Sequence, residues 1–288
     1  MRDPRCARLA HVIVHHSIQL KPGEAVMVES FDLAGGLVLD LVEEIQRARG
    51  IPVVVLRDQR VTRSLMRAAT EAQFQLQSEM ELEDMKRVQC YVGLRAADNV
   101  SELADVPPDA IALHTRLVAR PVHLEYRVNH TRWVVLRYPT SSMAQLAGMS
   151  TEAFEDLYFR VCTLDYGRMA EAMEPLARRM RATDRVRLKG PGTDLRFSIK
   201  GIGAVPCEGR RNLPDGECFS APVRDSVSGT IAFNTPSVYL GTTYDSLRFT
   251  FEGGRIVKAV GNPQQRLDAL LDTDEGARYF GEWSLGLN

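Results

Sequence analysis

Hydrophobic and polar positions follow one rhythm up to about residue 182 and another beyond it. From Cys6 to Leu20 the positions Leu9, Val12, Ile13, His16 and Leu20 recur near helical spacing, and the KPGE run (21–24) breaks that helix. AVMVES (25–30) predicts a short strand, and FDLAGGLVLDLVEEIQRARG (31–50) a helix closed by Gly50. IPVVVLRD (51–58), with three valines in a row, predicts a second, buried strand. Strand, helix and strand in that order imply a parallel sheet with helices packed on it. The pattern continues with a helical stretch over 64–86, a strand in VQCYVGLRA (88–96) and a strand in TRWVVLRYPT (131–140) ended by Pro139. Residues 141–181 read as mostly helical, with capping signals at Ser150 and Thr151. Residues 1–182 are therefore expected to form a doubly wound α/β domain.

After Asp184 the period shortens to two. VRLKGPGTDLRFSIKG (186–201) reads as two alternating strands around a Gly-Pro-Gly turn. TIAFNTP (230–236) and SVYLGTT (237–243) add strands, and SLRFTFEGGRIVKAVG (246–261) predicts a hairpin turning at Gly253-Gly254. One helix is expected over Pro263–Leu271. Residues 183–288 are thus expected to form a β-rich α+β domain.

Charge and cysteine usage narrow the function classes. The formal net charge is −1, from 36 basic and 37 acidic residues, and the arginines are interleaved with acids. That balance builds no basic field of the kind nucleic acid or an anionic membrane selects. The N-terminal MRDPRCARLAHVIV has no apolar run long enough for a signal segment or a membrane span. Five scattered cysteines without a CxxC pair argue against a zinc ribbon or a disulfide framework, and point to a reducing, cytoplasmic setting.

The candidate chemistry is uneven. The FDLAGG turn is not a GxGxxG fingerprint, and close packing of a helix on its strand accounts for its glycines. His11 and His15 stand four apart, in an HxxxH arrangement able to share a metal, but no neighbouring carboxylate completes an HExxH; a surface or packing role is expected. His114, His123 and His130 sit near Glu125, Tyr126 and Arg127 on loop-like sequence, a grouping compatible with a site that does not specify one. RNLPDGECFSAP (211–222) differs in kind. Its Pro-Asp-Gly turn fixes a tight reversal and sets Glu217 at the head of a strand. A carboxylate held there is a hard oxygen ligand with little freedom to lose, although an ordinary exposed turn glutamate reads the same way. Glu282, after DTDEGARYFG, poses the same choice, with Gly281 expected to let the backbone pass close to a neighbour. Cys218, beside Glu217 but on the other face of the strand, is expected in the core.

These segments resemble the aminopeptidase T family of metallo-aminopeptidases. Asn212 to Pro222 is similar to that family's Asn-Pro-acid-Glu-aromatic block and the Ala-Pro run after it, and SVSGTI (226–231) to the stretch that follows. GPGTDLRFSIKG (190–201), DTDEGARYFGEWSLG, RWVVLRYPT, MAQLAGMSTEAFED and the KPGE opening are family-like too, in the same order along nearly the whole chain. The resemblance implies a hydrolase that removes N-terminal residues from peptides, works as a homodimer and holds two divalent metal ions, zinc or cobalt, in its C-terminal domain. It implies Glu217 and Glu282 as metal ligands, with Glu282 also placed to orient the attacking water. The family's remaining ligands are a His and a His-x-Asp segment, yet no histidine follows His130. The metal-binding domain is accordingly expected to be incomplete at its C-terminus. Two other readings stand beside this one: an iron-dependent ring-cleaving dioxygenase, and a non-catalytic binding protein on the same scaffold.

Overall fold

The structure, a computed structural model, describes residues 3–32, 34–239 and 242–287. By contact clustering the chain forms two compact units: Met1–Arg168 with Glu208–Asp215, and Met169–Cys207 with Gly216–Asn288. The helix that the sequence assigns to the end of the first domain lies almost wholly in the second unit, because its apolar side chains Met173, Ala177 and Met180 are part of that unit's core.

In the first unit, α1 (Pro4–His11) opens under an Asp3 cap and runs into a π-helical turn, Val12–Ser17. Then follow β1 (Ala25–Phe31), α2 (Gly35–Arg47) and β2 (Ile51–Arg57). The stretch predicted as one helix over 64–86 is two, α3 (Gln59–Arg67) and α4 (Glu71–Lys86). Asp58 caps the first through the N–H groups of Arg60 and Val61, and Thr70 caps the second through Gln73. After β3 (Cys90–Arg95), α5 (Pro108–His114), a π-helical stretch (Thr115–Arg127) and α6 (Val128–His130) form nearly continuous helix where loop was expected. Next come β4 (Arg132–Arg137), α7 (Ser141–Leu146) and α8 (Thr151–Cys162), the last capped by Ser150.

The sheet runs β2-β1-β3-β4 and ends on β8 (Asn212–Leu213), a two-residue strand. All four pairings are parallel. Met27 and Tyr91, cross-strand neighbours, pack with Met85 of α4 and Val122 of the π-helical stretch. Helix α2 packs on β1, and α1 against α2. Gly35 opens α2 at φ 49°, where an added Cβ would stand 3.3 Å from the Tyr138 hydroxyl; close packing accounts for this glycine. β2 corrects an expectation. It is an edge strand with Val53 41% and Leu56 59% exposed, because β1 is its one partner among the described strands.

The second unit is built on antiparallel pairs. α9 (Tyr166–Arg181) leads to the hairpin of β5 (Arg185–Gly190) and β6 (Thr193–Ser198). β10 (Ser228–Ala232) pairs β6 and β12 (Thr242–Glu252), which also pairs β11 (Ser237–Tyr239) and β13 (Arg255–Asn262). The β12–β13 turn is Gly253-Gly254, as the sequence predicts, and α10 (Gln264–Leu271) follows. A smaller sheet, β14-β9-β7, is made of β7 (Val205–Cys207), β9 (Glu217–Ser220) and β14 (Trp283–Gly286). The whole is a mixed α/β chain, with one parallel sheet followed by antiparallel ones.

Candidate functional site

The segment 208–222 is shared between the units. Its first half is tied into the first unit. His16 Nε2 lies 2.6 Å from the Glu208 carbonyl, Val135 N–H donates to the Arg211 carbonyl at 2.9 Å, and β8 extends the parallel sheet. Asp215 accepts from Gly209 N–H at 2.9 Å and donates its own N–H to the Tyr166 hydroxyl at 3.2 Å. Gly209, at φ 78°, sits against the Tyr166 ring, where an added Cβ would come within 2.8 Å. Gly216 then turns the chain at φ 145°, and Glu217 begins β9.

Strand alternation sorts the side chains of β9. Cys218 and Ser220 are buried, and Cys218 belongs to the core cluster, as the sequence predicts. Burial pushes its thiol pKa up, so it is a packing residue rather than a thiolate ligand. Glu217 and Phe219 take the opposite, half-buried face. In the antiparallel ladder Glu217 lies opposite Gly286 and Ser220 opposite Trp283. Cross-strand partners share a face, so Trp283 stands with the core, and Glu282 is the residue just before β14 begins. Glu282 precedes Gly286, the partner of Glu217, by four positions in sequence.

Glu282 is exposed, but its backbone is held on both sides. Phe280 and Trp283 pack edge-on against Phe197, with centroids 5.7 and 5.5 Å away. Upstream, Asp274 Oδ1 accepts from Gly276 and Ala277 N–H, and the Arg278 carbonyl accepts from Ile256 N–H at 2.9 Å. An added Cβ at Gly281 would meet nothing within 4 Å, so this glycine allows no close approach of the kind the sequence suggested.

As a metal site this pair is partial. Two carboxylates, one heading β9 and one just before β14, supply hard oxygen donors, whereas zinc usually takes imidazole as well. All six histidines of the sequence precede residue 131. Among the described residues, the one group of three potential ligand side chains within mutual reach is His11, His15 and Glu44, in the first unit.

The other histidine grouping is structural. His123 packs edge-on to Tyr91, and burial lowers its pKa to about 4, so it is neutral at neutral pH. Burial also lowers that of His114, which packs on Phe74, while His130 stacks on Tyr126. Beside His123, buried Glu29 accepts from the Tyr91 hydroxyl and from Arg57 Nε, each at 2.5 Å.

The family described as thermophilic metalloprotease (M29) matches residues 2–288, and the chain belongs to that family. Aminopeptidase T of Thermus aquaticus is 39% identical over 108 residues, which are 34% of this chain and 26% of that protein. Aminopeptidase T of Thermus thermophilus is 38% identical over 122 residues, 38% of this chain and 28% of that protein. Aminopeptidase 2 of Geobacillus stearothermophilus is 28% identical over 218 residues, 66% of this chain and 52% of that protein. The chain thus aligns with about a quarter of the length of the two aminopeptidase T relatives. A solved structure, wild-type AmpT from Thermus thermophilus, superposes with a TM-score of 0.82 at 23% identity, covering 98% of this chain and 78% of that one. Among the described residues no helix is long and apolar enough to cross a membrane.

Proposed function

We propose, with membership of the M29 metalloprotease family as the premise, that this protein takes part in metal-dependent removal of N-terminal residues from peptides. The observation that supports this is Glu217 at the head of β9, paired with β14, which begins at the residue after Glu282, in a family whose named relatives here are aminopeptidases. Glu217 is half-buried at a turn–strand junction, so it loses little freedom when it binds a cation. Glu282 stands between two packed aromatic residues in sequence, and in this reading its carboxylate would orient the attacking water. Glu217 and Glu282 would hold divalent ions, zinc or cobalt in this reading, whose chemistry would be to polarise the peptide carbonyl and acidify water. The remaining donors, histidines above all, are not on these strands.

The homodimer fits the same reading. β2 offers an edge unpaired among the described strands and carrying exposed Ile51, Val53, Val54 and Leu56, and an edge of that kind invites pairing with a second copy. Buried thiols at Cys6, Cys90, Cys162 and Cys218 suit a reducing cytoplasm.

The test is hydrolysis of an aminoacyl-p-nitroanilide by the natural gene product, with zinc or cobalt and with a chelator. Turnover that the chelator abolishes, and that Glu282→Gln lowers about 100-fold or more, is expected. Absence of metal-dependent turnover with either ion would sink the proposal, and tightly bound iron with ring-cleaving activity would replace it.

A further inference from the structure

His11 and His15 lie one turn apart where α1 passes into its π-helical continuation, with ring centroids 4.3 Å apart. The carboxylate that the sequence around them lacks arrives from α2. His11 Nδ1 is 3.0 Å and His15 Nε2 2.8 Å from the same oxygen, Glu44 Oε1. All three potential ligand atoms fall within 4.8 Å of one another. They edge a pocket of about 670 Å³ that is also lined by Ala7, Val12 and Thr163.

We propose that His11, His15 and Glu44 form a site for a divalent transition-metal ion such as zinc or cobalt, sharing no residue with Glu217 and Glu282. Tetrahedral zinc with bonds of ~2.0–2.2 Å sets its donors ~3.3 Å apart, so each nitrogen need retreat from Oε1 by only a few tenths of an ångström. The donors sit on two packed helices, which hold them close to ligating geometry before any ion arrives.

Glu44 is suited to the role. Its side chain is 7% exposed, against 66% for His11 and 44% for His15, so the negative charge is sunk while the imidazoles face the opening. Arg47 pairs with the other oxygen, Oε2, and is left as an outer partner that orients Oε1. Arg8 and Arg47 both line the pocket and oppose a second positive charge. Selectivity for ions that prefer imidazole, over magnesium or calcium, follows from the donor set. Three protein ligands leave a fourth position for water or a small ligand in the pocket.

The test uses the natural protein carrying Glu217→Gln and Glu282→Gln, so that those carboxylates do not contribute. Equilibrium dialysis against zinc or cobalt, with metal counted by mass spectrometry, is expected to find one bound equivalent. The visible spectrum of bound cobalt should be that of a mixed nitrogen and oxygen shell. His15→Ala, an exposed position that leaves the core untouched, should weaken binding at least ~10-fold, the lower bound seen even for outer partners of metal ligands. The metal-free far-UV circular dichroism of this variant should match the parent, which separates loss of the site from loss of fold. An unchanged affinity in both His15→Ala and His11→Ala, or no bound equivalent in the parent, would overturn the proposal.

Discussion

Glu29→Gln probes the buried charge in the parallel sheet, a position where glutamine keeps the volume and removes only the ionic character. Glu29 is 2% exposed and receives two short hydrogen bonds, from Tyr91 and from Arg57. Hydrogen bonds to a charged group contribute ~1.5–3 kcal/mol each, and breaking a buried ion pair typically costs ~3–5 kcal/mol. The cost here is smaller than that upper range, because Arg57 keeps Glu81 at 2.9 Å and is itself 27% exposed, so no cation is orphaned. About 2–3 kcal/mol is expected.

The pH dependence adds an independent check. Burial acts to raise the Glu29 pKa, but the charge of Arg57 and the hydrogen bonds from Tyr91 and Arg57 outweigh it and set it below its ordinary value. A carboxyl with a depressed folded-state pKa stabilises the fold above its unfolded pKa and loses that contribution as pH falls through the folded one. The gap between parent and variant should therefore close on acidification. The sequence has two tryptophans, Trp133 in the first unit and Trp283 in the second. Urea unfolding followed by Trp133 fluorescence in a Trp283→Phe background reads the first unit, with the midpoint expected to fall at unchanged slope. A loss under ~0.5 kcal/mol, the size of a neutral surface change, would refute the pairing argument. So would a gap that widens in acid.

Gly254→Ala should destabilise the second unit by about 2–4 kcal/mol, read from Trp283 fluorescence, because left-handed strain adds to a collision there. Gly254 has φ 84° and an added Cβ would lie 1.8 Å from the Arg224 carbonyl oxygen, backbone that cannot swing aside. For the proposed homodimer, Leu56→Lys on the β2 edge should give monomer in light-scattering chromatography while leaving the monomer's fold intact by circular dichroism, since Leu56 is 59% exposed. A dimer that persists would move the contact away from this edge.

Several elements could be read directly because their signals are local. The AVMVES, VQCYVGLRA and TRWVVLRYPT runs each became parallel strands, and Gly253-Gly254 became the hairpin turn. The split between α3 and α4 was also written in the chain, in Asp58 and Thr70 as caps, but steady helical composition over 64–86 hid it. IPVVVLRD misled for a different reason. Three consecutive valines look the same in a central strand and at an edge, and only the partner on the far side decides which it is.

For the site, sequence by itself determined residue types and spacing: a carboxylate after a Pro-Asp-Gly turn, another after an aromatic-Gly pair, and two histidines one helical turn apart. Those are properties of consecutive residues, so they survive without coordinates. Tertiary structure alone decided three things. Strand register set Glu217 on the half-buried face of β9, opposite Gly286, and Cys218 in the core. Two residues, Asn212 and Leu213, too short to leave a period, became the last strand of the first unit's sheet. Packing of α2 against α1 brought Glu44 to His11 and His15 from 33 and 29 residues away, a contact no local pattern encodes because it depends on the crossing of two helices.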